Sequence, residues 1–187
     1  MNIHSFRKSI LMLLIVTILS GSAVFAGAAE RPGSRSGDNS PAVILANEDF
    51  MPALLKAIDD ARDEILLSLF FFKAGKYKDS YPDRIAAHLE RAVKRGVKVY
   101  VVLETSENPS EELSMQNRKT GAFLQNRGMT VFYDSPHRTT HTKLIVIDRK
   151  LVLLGSHNFT QSALKYNNEI SVLLKSPELA GQARNYI

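Results

Sequence analysis

Asp83–Leu103, DRIAAHLERAVKRGVKVYVVL, decides the fold class. Ile85, Ala86, Leu89, Ala92 and Val93 recur at three- and four-residue intervals, so the first half predicts a helix with one apolar stripe. Pro82 suits the first turn of that helix, where a missing N–H costs nothing, and Gly96 sits where a C-terminal cap belongs. Beyond the glycine, Val97–Leu103 (VKVYVVL) is dense in β-branched residues and predicts a strand.

The same alternation extends both ways. Upstream, Ala42–Ala46 predicts a short strand. Asn47 or Glu48 then opens a helix to about Arg62, with Pro52 in its first turn and Leu54, Leu55, Ile58 and Ala61 on its buried face. Ile65–Phe72 (ILLSLFFF) is apolar on both parities, as expected of a strand covered on both faces. Downstream, Ser110 with Glu111 and Glu112 begins a helix to about Arg127 that Gly128 stops, and Thr130–Tyr133 is a short strand. Strands alternating with helices of about a dozen residues predict an α/β domain, a mixed, mostly parallel β-sheet flanked by helices on both faces. The last third differs. Lys143–Ile147 and Leu151–Gly155, separated by Asp148-Arg149-Lys150, read as a hairpin. A short helix near Phe159–Leu164, a strand over Glu169–Leu174 and a helix begun at Pro177 follow.

Composition limits the chemistry. The 187 residues are 44% apolar and 23% charged, which is globular and argues against wholesale disorder or a multispan membrane protein. With no cysteine there are no disulfides, no thiolate nucleophile and no zinc site that uses sulfur. The net charge of +5 permits an anionic partner without demanding one. Residues 1–26 read as an export signal: Arg7 and Lys8 precede an apolar run from Ile10 to Leu19, and small residues around Ala26 offer a cleavage site. Cleavage would place the mature chain in the periplasm or outside the cell. The alternative is an uncleaved N-terminal helix that anchors it to the membrane. Residues 27–41, rich in Pro, Gly and Ser, read as a flexible linker before a folded domain over 42–187.

The chemistry-bearing stretch runs from His141, Lys143 and Asp148 through Gly155, Ser156 and Asn158 to Glu169. Residues two apart on a strand share a face, so His141 and Lys143 stand side by side. Asp148 has the other parity and sits at the hairpin, where it is expected to support the site from behind without touching substrate. Ser156 and Asn158 fall between a strand end and a helix, where hydroxyl, amide and free N–H groups can meet an anion. Imidazole beside ammonium suits attack on a phosphodiester: His141 can serve as nucleophile, while Lys143 and Asn158 neutralise charge on the non-bridging oxygens. A carboxylate such as Glu169 can hold the other ring nitrogen and stabilise the cationic ring. Each fragment alone is usually a solvated strand, a helix cap or a turn; their joint occurrence in one register is what points to a site. His137 and His141 have the i, i+4 spacing of a helical zinc pair, but Pro136 and the following strand argue against a helix there.

His-x-Lys-x4-Asp-x6-Gly-Ser-x-Asn is the signature of the phospholipase D superfamily, and this chain matches it in full. The resemblance extends to Asp83–Leu103 and covers most of residues 42–174, which implies the layered fold of that superfamily. With one motif instead of two, the chain is similar to the small, exported, single-motif bacterial endonucleases of the Nuc type. The resemblance implies a phosphohistidine on one His, a second His as acid for the leaving oxygen, and no metal or other cofactor. It also implies a homodimer with one composite site between two copies of His141. The alternative is that His137 or His157 supplies the second imidazole within a monomer.

Basic runs flank the site. Lys73, Lys76, Lys78 and Arg84 lie in one; Arg118, Lys119, Arg127 and Arg138 lie in the other. They fit a groove that follows a DNA or RNA backbone without reading sequence. A lipid phosphodiesterase is the second reading, and a nucleic-acid-binding protein that has lost turnover is the third. No stable membrane partner is expected if the signal is cleaved.

Overall fold

A computed structural model describes residues 41–108 and 110–187. The export signal or anchor, and all of the linker but its last residue, lie outside the described residues. The elements alternate as β1 (Ala42–Ala46), α1 (Phe50–Asp60), β2 (Glu64–Leu69), α2 (Tyr81–Lys94), β3 (Lys98–Leu103), α3 (Glu112–Gln125), β4 (Thr130–Tyr133), β5 (Lys143–Ile147), β6 (Leu151–Gly155), α4 (Gln161–Lys165), β7 (Ile170–Lys175) and α5 (Pro177–Tyr186). Asn47–Asp49 form a 3₁₀ turn before α1. Ser80, Thr160 and Ser176 cap α2, α4 and α5, each hydroxyl accepting a backbone N–H of the first turn.

The seven strands form one mixed sheet in the order β1-β7-β6-β5-β2-β3-β4. Only β2–β3 and β3–β4 are parallel; the other four pairings are antiparallel, so the expectation of a mostly parallel sheet is corrected. The reason lies in the connections. A parallel neighbour needs a crossover of a dozen or more residues, which α2 and α3 provide. The segment between β4 and β5 has no helix, and α4 is only five residues long, so β5 and β7 start at the end where β4 and β6 finish. β1 and β2 run the same way, but β7, β6 and β5 lie between them.

Helices cover both faces, unequally. Ile65, Leu67, Leu69, Val101, Ile145 and Leu153 pack under α1–α4 in the larger core. The alternate residues Leu66, Leu144, Val146 and Val152 meet Ala180 and Ala183 of α5. β2 is buried at all six positions, as its unbroken apolar run requires. It ends at Leu69, short of the expected Phe72. The Phe70 N–H still reaches the Thr142 carbonyl at 2.8 Å, but the Phe72 N–H turns to the Asn117 side chain of α3 at 3.1 Å.

This topology gathers the carboxyl ends of β1, β2, β3, β4 and β6 with the amino ends of β5 and β7 along one edge. Asn47, Phe70, Glu104, His141, Ser156 and Glu169 all belong to it.

Candidate active site

His141 is exposed two residues before β5, and Lys143 is the first residue of that strand, 8% exposed. The Lys143 ammonium donates to the His141 carbonyl at 2.9 Å and lies 3.3 and 3.4 Å from the two ring nitrogens. Phe70 forms one wall, its ring centroid 4.4 Å from that of His141 and 4.9 Å from the Lys143 nitrogen. Burial pushes the Lys143 pKa down, and the Glu169 carboxylate opposes that shift. An ammonium held beside an accessible imidazole is suited to meet an anion at that imidazole.

Backbone anchors fix the approach to His141. The Thr142 hydroxyl lies 2.8 Å from the Ser68 hydroxyl and 3.0 Å from its carbonyl. The Thr140 N–H donates to the carboxylate of Glu104, which is 4% exposed at the carboxyl end of β3. Burial raises the Glu104 pKa; the Thr140 bond opposes this, and Asp134 and Glu111 add to it. Sequence reading missed Glu104, although a carboxylate directly after VKVYVVL marks the end of a buried strand. Asn117 was missed too. Its amide satisfies the Phe70 and Glu104 carbonyls at 2.8 and 2.9 Å, a task no local pattern reveals.

The second half of the motif is equally constrained. A Cβ on Gly155 would collide with Ser171 and the Ile170 carbonyl, so only glycine lets β7 approach. The Ser156 N–H donates to the Ile170 carbonyl at 3.0 Å, and the Ile170 N–H returns to the Ser156 hydroxyl at 3.0 Å. That hydroxyl donates to Glu169, whose carboxylate also accepts from the Asn167 amide at 3.1 Å. Asn158 precedes Phe159, which is tied to the chain after β2 by the Phe159 N–H to Phe71 carbonyl and Lys73 N–H to Phe159 carbonyl bonds, both 2.9 Å. The Asn158 Oδ1 is shut from solvent and has no hydrogen-bond partner among the described residues.

The structure therefore brings His141 and Lys143 together, with Ser156, Asn158 and Glu169 along the same sheet edge. The Glu169 carboxylate bonds Ser156 and Asn167, and not the His141 ring as expected from sequence. Asp148 is elsewhere. It lies five residues along β5 from Lys143, about 16 Å at strand rise, and its carboxylate accepts the Arg62, Asp63 and Glu64 N–H groups at 2.9, 2.8 and 3.1 Å. Its expected support of the site from behind gives way to a lock between the β5–β6 turn and the start of β2.

The other imidazoles near the motif are committed. His137 is a surface residue paired with Glu107 at 2.8 Å. His157 is fully buried, stacked on Phe50 with centroids 4.2 Å apart. Among the described residues, no three His, Asp or Glu cluster so as to hold a metal ion.

Residues 54–187 match the family model described as cardiolipin synthase, PLD-like domain. The fold is similar to that of Nuc from Salmonella typhimurium, a phospholipase D family member: TM-score 0.63, 26% identity, 78% of this chain and 91% of that one covered. NucT from Helicobacter pylori shares the fold at TM-score 0.62 and 20% identity, over 78% of this chain and 91% of that one. Among curated proteins, phospholipase D of Rickettsia felis is 38% identical over 96 residues, 51% of this chain and 45% of that protein. The chain spans about half the length of the curated relatives it first matches, 45–54% of each. With the family's domain matched over most of this chain's length, and His141, Lys143, Ser156 and Asn158 of its motif along one sheet edge, this chain belongs to the phospholipase D superfamily.

Proposed function

We propose that this chain is a metal-independent phosphodiesterase, and specifically a sequence-nonspecific endonuclease on DNA or RNA. The observation that carries the reading is an exposed His141 imidazole with the Lys143 ammonium 3.3 Å away. The choice of nucleic acid rests on the sequence resemblance to single-motif endonucleases of the Nuc type and on the basic runs of the chain.

The neutral His141 ring attacks phosphorus through one nitrogen, and the bond to the leaving oxygen breaks. Lys143 and the Ser156–Asn158 segment stabilise charge gathering on the non-bridging oxygens. The departing oxygen takes a proton from a second imidazole. Water, deprotonated by that same ring, then attacks the phosphohistidine and frees His141. Among the described residues, His88 is paired with Asp59, His137 faces solvent beside Glu107 and His157 is buried, which supports His141 of a second subunit as the donor. We therefore place the site across a homodimer, with Lys73, Lys76, Arg118 and Arg138 following the phosphate backbone. Export to the periplasm or beyond belongs to the same proposal; retention on the membrane through an uncleaved leader is its alternative.

The likeness to proteins named phospholipase D favours a second reading, hydrolysis of a phospholipid by the same groups. Incubation with plasmid and with phosphatidylcholine vesicles, both in excess EDTA, separates the two. Nicked and linear plasmid with intact lipid is the expected result. Released headgroup with intact plasmid would replace the nuclease reading, and activity only after Mg²⁺ or Zn²⁺ is restored would overturn the mechanism.

A further inference from the structure

We propose that Asn47 and His157 form a clasp that positions Glu169 and Ser156 for the reaction, making both positioning residues although neither meets substrate. The inference rests on the phosphodiesterase reading above, for the chemistry only.

Asn47 stands immediately after β1, the edge strand paired with β7. It holds Glu169 by both backbone groups. Its N–H donates to the Glu169 carbonyl at 2.9 Å, and its side-chain Oδ1 accepts the Glu169 N–H at 2.8 Å. Its φ of +49° is in the left-handed region, which asparagine tolerates better than most residues, so the two hydrogen bonds are made at a conformation the sequence has accommodated.

His157 closes the clasp from the other side. Its Nε2 lies 3.2 Å from the Asn47 carbonyl, which can only accept, so that nitrogen carries the proton. Nδ1 then accepts the Ser171 hydroxyl at 2.7 Å. Stacking on Phe50 fixes the ring plane, and burial pushes its pKa down, keeping the neutral tautomer that both bonds need. His157 lies between Ser156 and Asn158, while Ser171 is two residues past Glu169. One ring and one asparagine thus connect the strand bearing the carboxylate to the loop bearing the hydroxyl and amide. Glu169 in turn accepts from the Ser156 hydroxyl. A misplacement of about 1 Å at reacting groups can cost on the order of 100-fold in rate, so loosening this connection acts on turnover more than on affinity.

The test uses the full chain and bis(p-nitrophenyl) phosphate in EDTA, with rates normalised to the folded fraction. Asn47→Gly keeps the left-handed backbone and deletes only the Oδ1 bond; His157→Phe keeps the stacking and deletes both ring bonds. Each should lower kcat by about 10- to 100-fold with KM within about twofold. His157→Gln, which restores a donor and an acceptor at similar reach, should recover most of kcat. Wild-type kcat in both deletion variants, or loss that appears in KM alone, overturns the inference. Hydrogen exchange supplies a readout without substrate: the Glu169 amide should lose protection in His157→Phe. Unchanged protection there would overturn the clasp even if the wild type cleaves no diester, whereas absent wild-type turnover with lost protection would count against the phosphodiesterase reading alone.

Discussion

Replacing Asp148 by alanine separates the part of the motif that folds from the part that reacts. Asp148 and Arg149 both have left-handed backbones, φ +51° and +52°, and the Lys150 N–H closes on the Ile147 carbonyl at 3.0 Å. That is the tight hairpin turn that normally asks for Asn-Gly. Asp148 makes it tolerable by accepting three N–H groups of residues 62–64 on one carboxylate. Alanine loses all three bonds, which a charged acceptor makes worth about 1.5–3 kcal/mol each, and it is also poorly suited to the left-handed region. Water can replace part of the loss at the more exposed amides, which brings the expected cost to about 3 kcal/mol. For a domain of this size that is a fall in Tm of roughly 6–12 °C. Asp148→Asn keeps the turn conformation and the Oδ1 acceptor and should cost about 1 kcal/mol. Thermal unfolding followed by circular dichroism measures both, and diester turnover at a temperature well below Tm measures the chemistry. Turnover per folded molecule should stay within about threefold of wild type, because Asp148 is some 16 Å along the strand from Lys143. A Tm unchanged in Asp148→Ala, with turnover reduced a hundredfold, would refute this reasoning.

Lys143→Met preserves the apolar stem and removes the ammonium; kcat on a small diester should fall about 10²- to 10³-fold, and a loss under tenfold would deny Lys143 its role. Burial holds the His157 pKa below its unfolded value near 6.5. The unfolded chain therefore binds more protons, and stability should fall as pH drops through about 6.5 towards the folded pKa. Urea unfolding at pH 7.5 and 5.5 should show that slope weakened in His157→Gln; an identical slope would remove His157 as its source. Glu104 has the opposite sign. Its raised pKa favours folding below the unfolded carboxyl value and loses that contribution as pH rises through the folded pKa. Glu104→Gln should therefore gain stability relative to wild type between pH 4 and pH 8, and a gap that does not widen over that range would contradict the burial argument.

Periodicity revealed the local elements, because each buries one stripe or a whole strand against the layer beside it. Ile85, Ala86, Leu89 and Ala92 of α2 are all buried, as their spacing predicts. Strand direction was not legible in the same way. It depends on where the chain re-enters the sheet, and the five residues of α4 resemble a crossover helix in composition while being too short for one. The helix expected from Ser110 begins at Glu112, with Glu111 at its cap position and no side-chain cap bond, so the Ser110 hydroxyl did not decide the boundary. His141, Lys143, Ser156 and Glu169 were readable as a set because a strand fixes side-chain parity and the motif fixes spacing. Asp148 shows the limit of parity: it indicates which face a residue takes, but five residues of strand move it to the other end of the sheet. Asn47, Glu104 and Asn117 act through contacts 13 to 122 residues distant in sequence, which no local pattern encodes.

The shared-site proposal gives His141 two roles, nucleophile in one subunit and acid in the other. Mixing wild type with inactive His141→Ala at one to one, and confirming subunit exchange by native mass spectrometry, tests it most directly. Each mixed dimer then carries a single imidazole and lacks either nucleophile or acid. A shared site should leave activity of about one quarter of an equal total amount of wild-type protein, the share of wild-type homodimers under random pairing. Activity near one half after complete exchange would mean that each chain holds a complete site of its own, and would exclude the shared site.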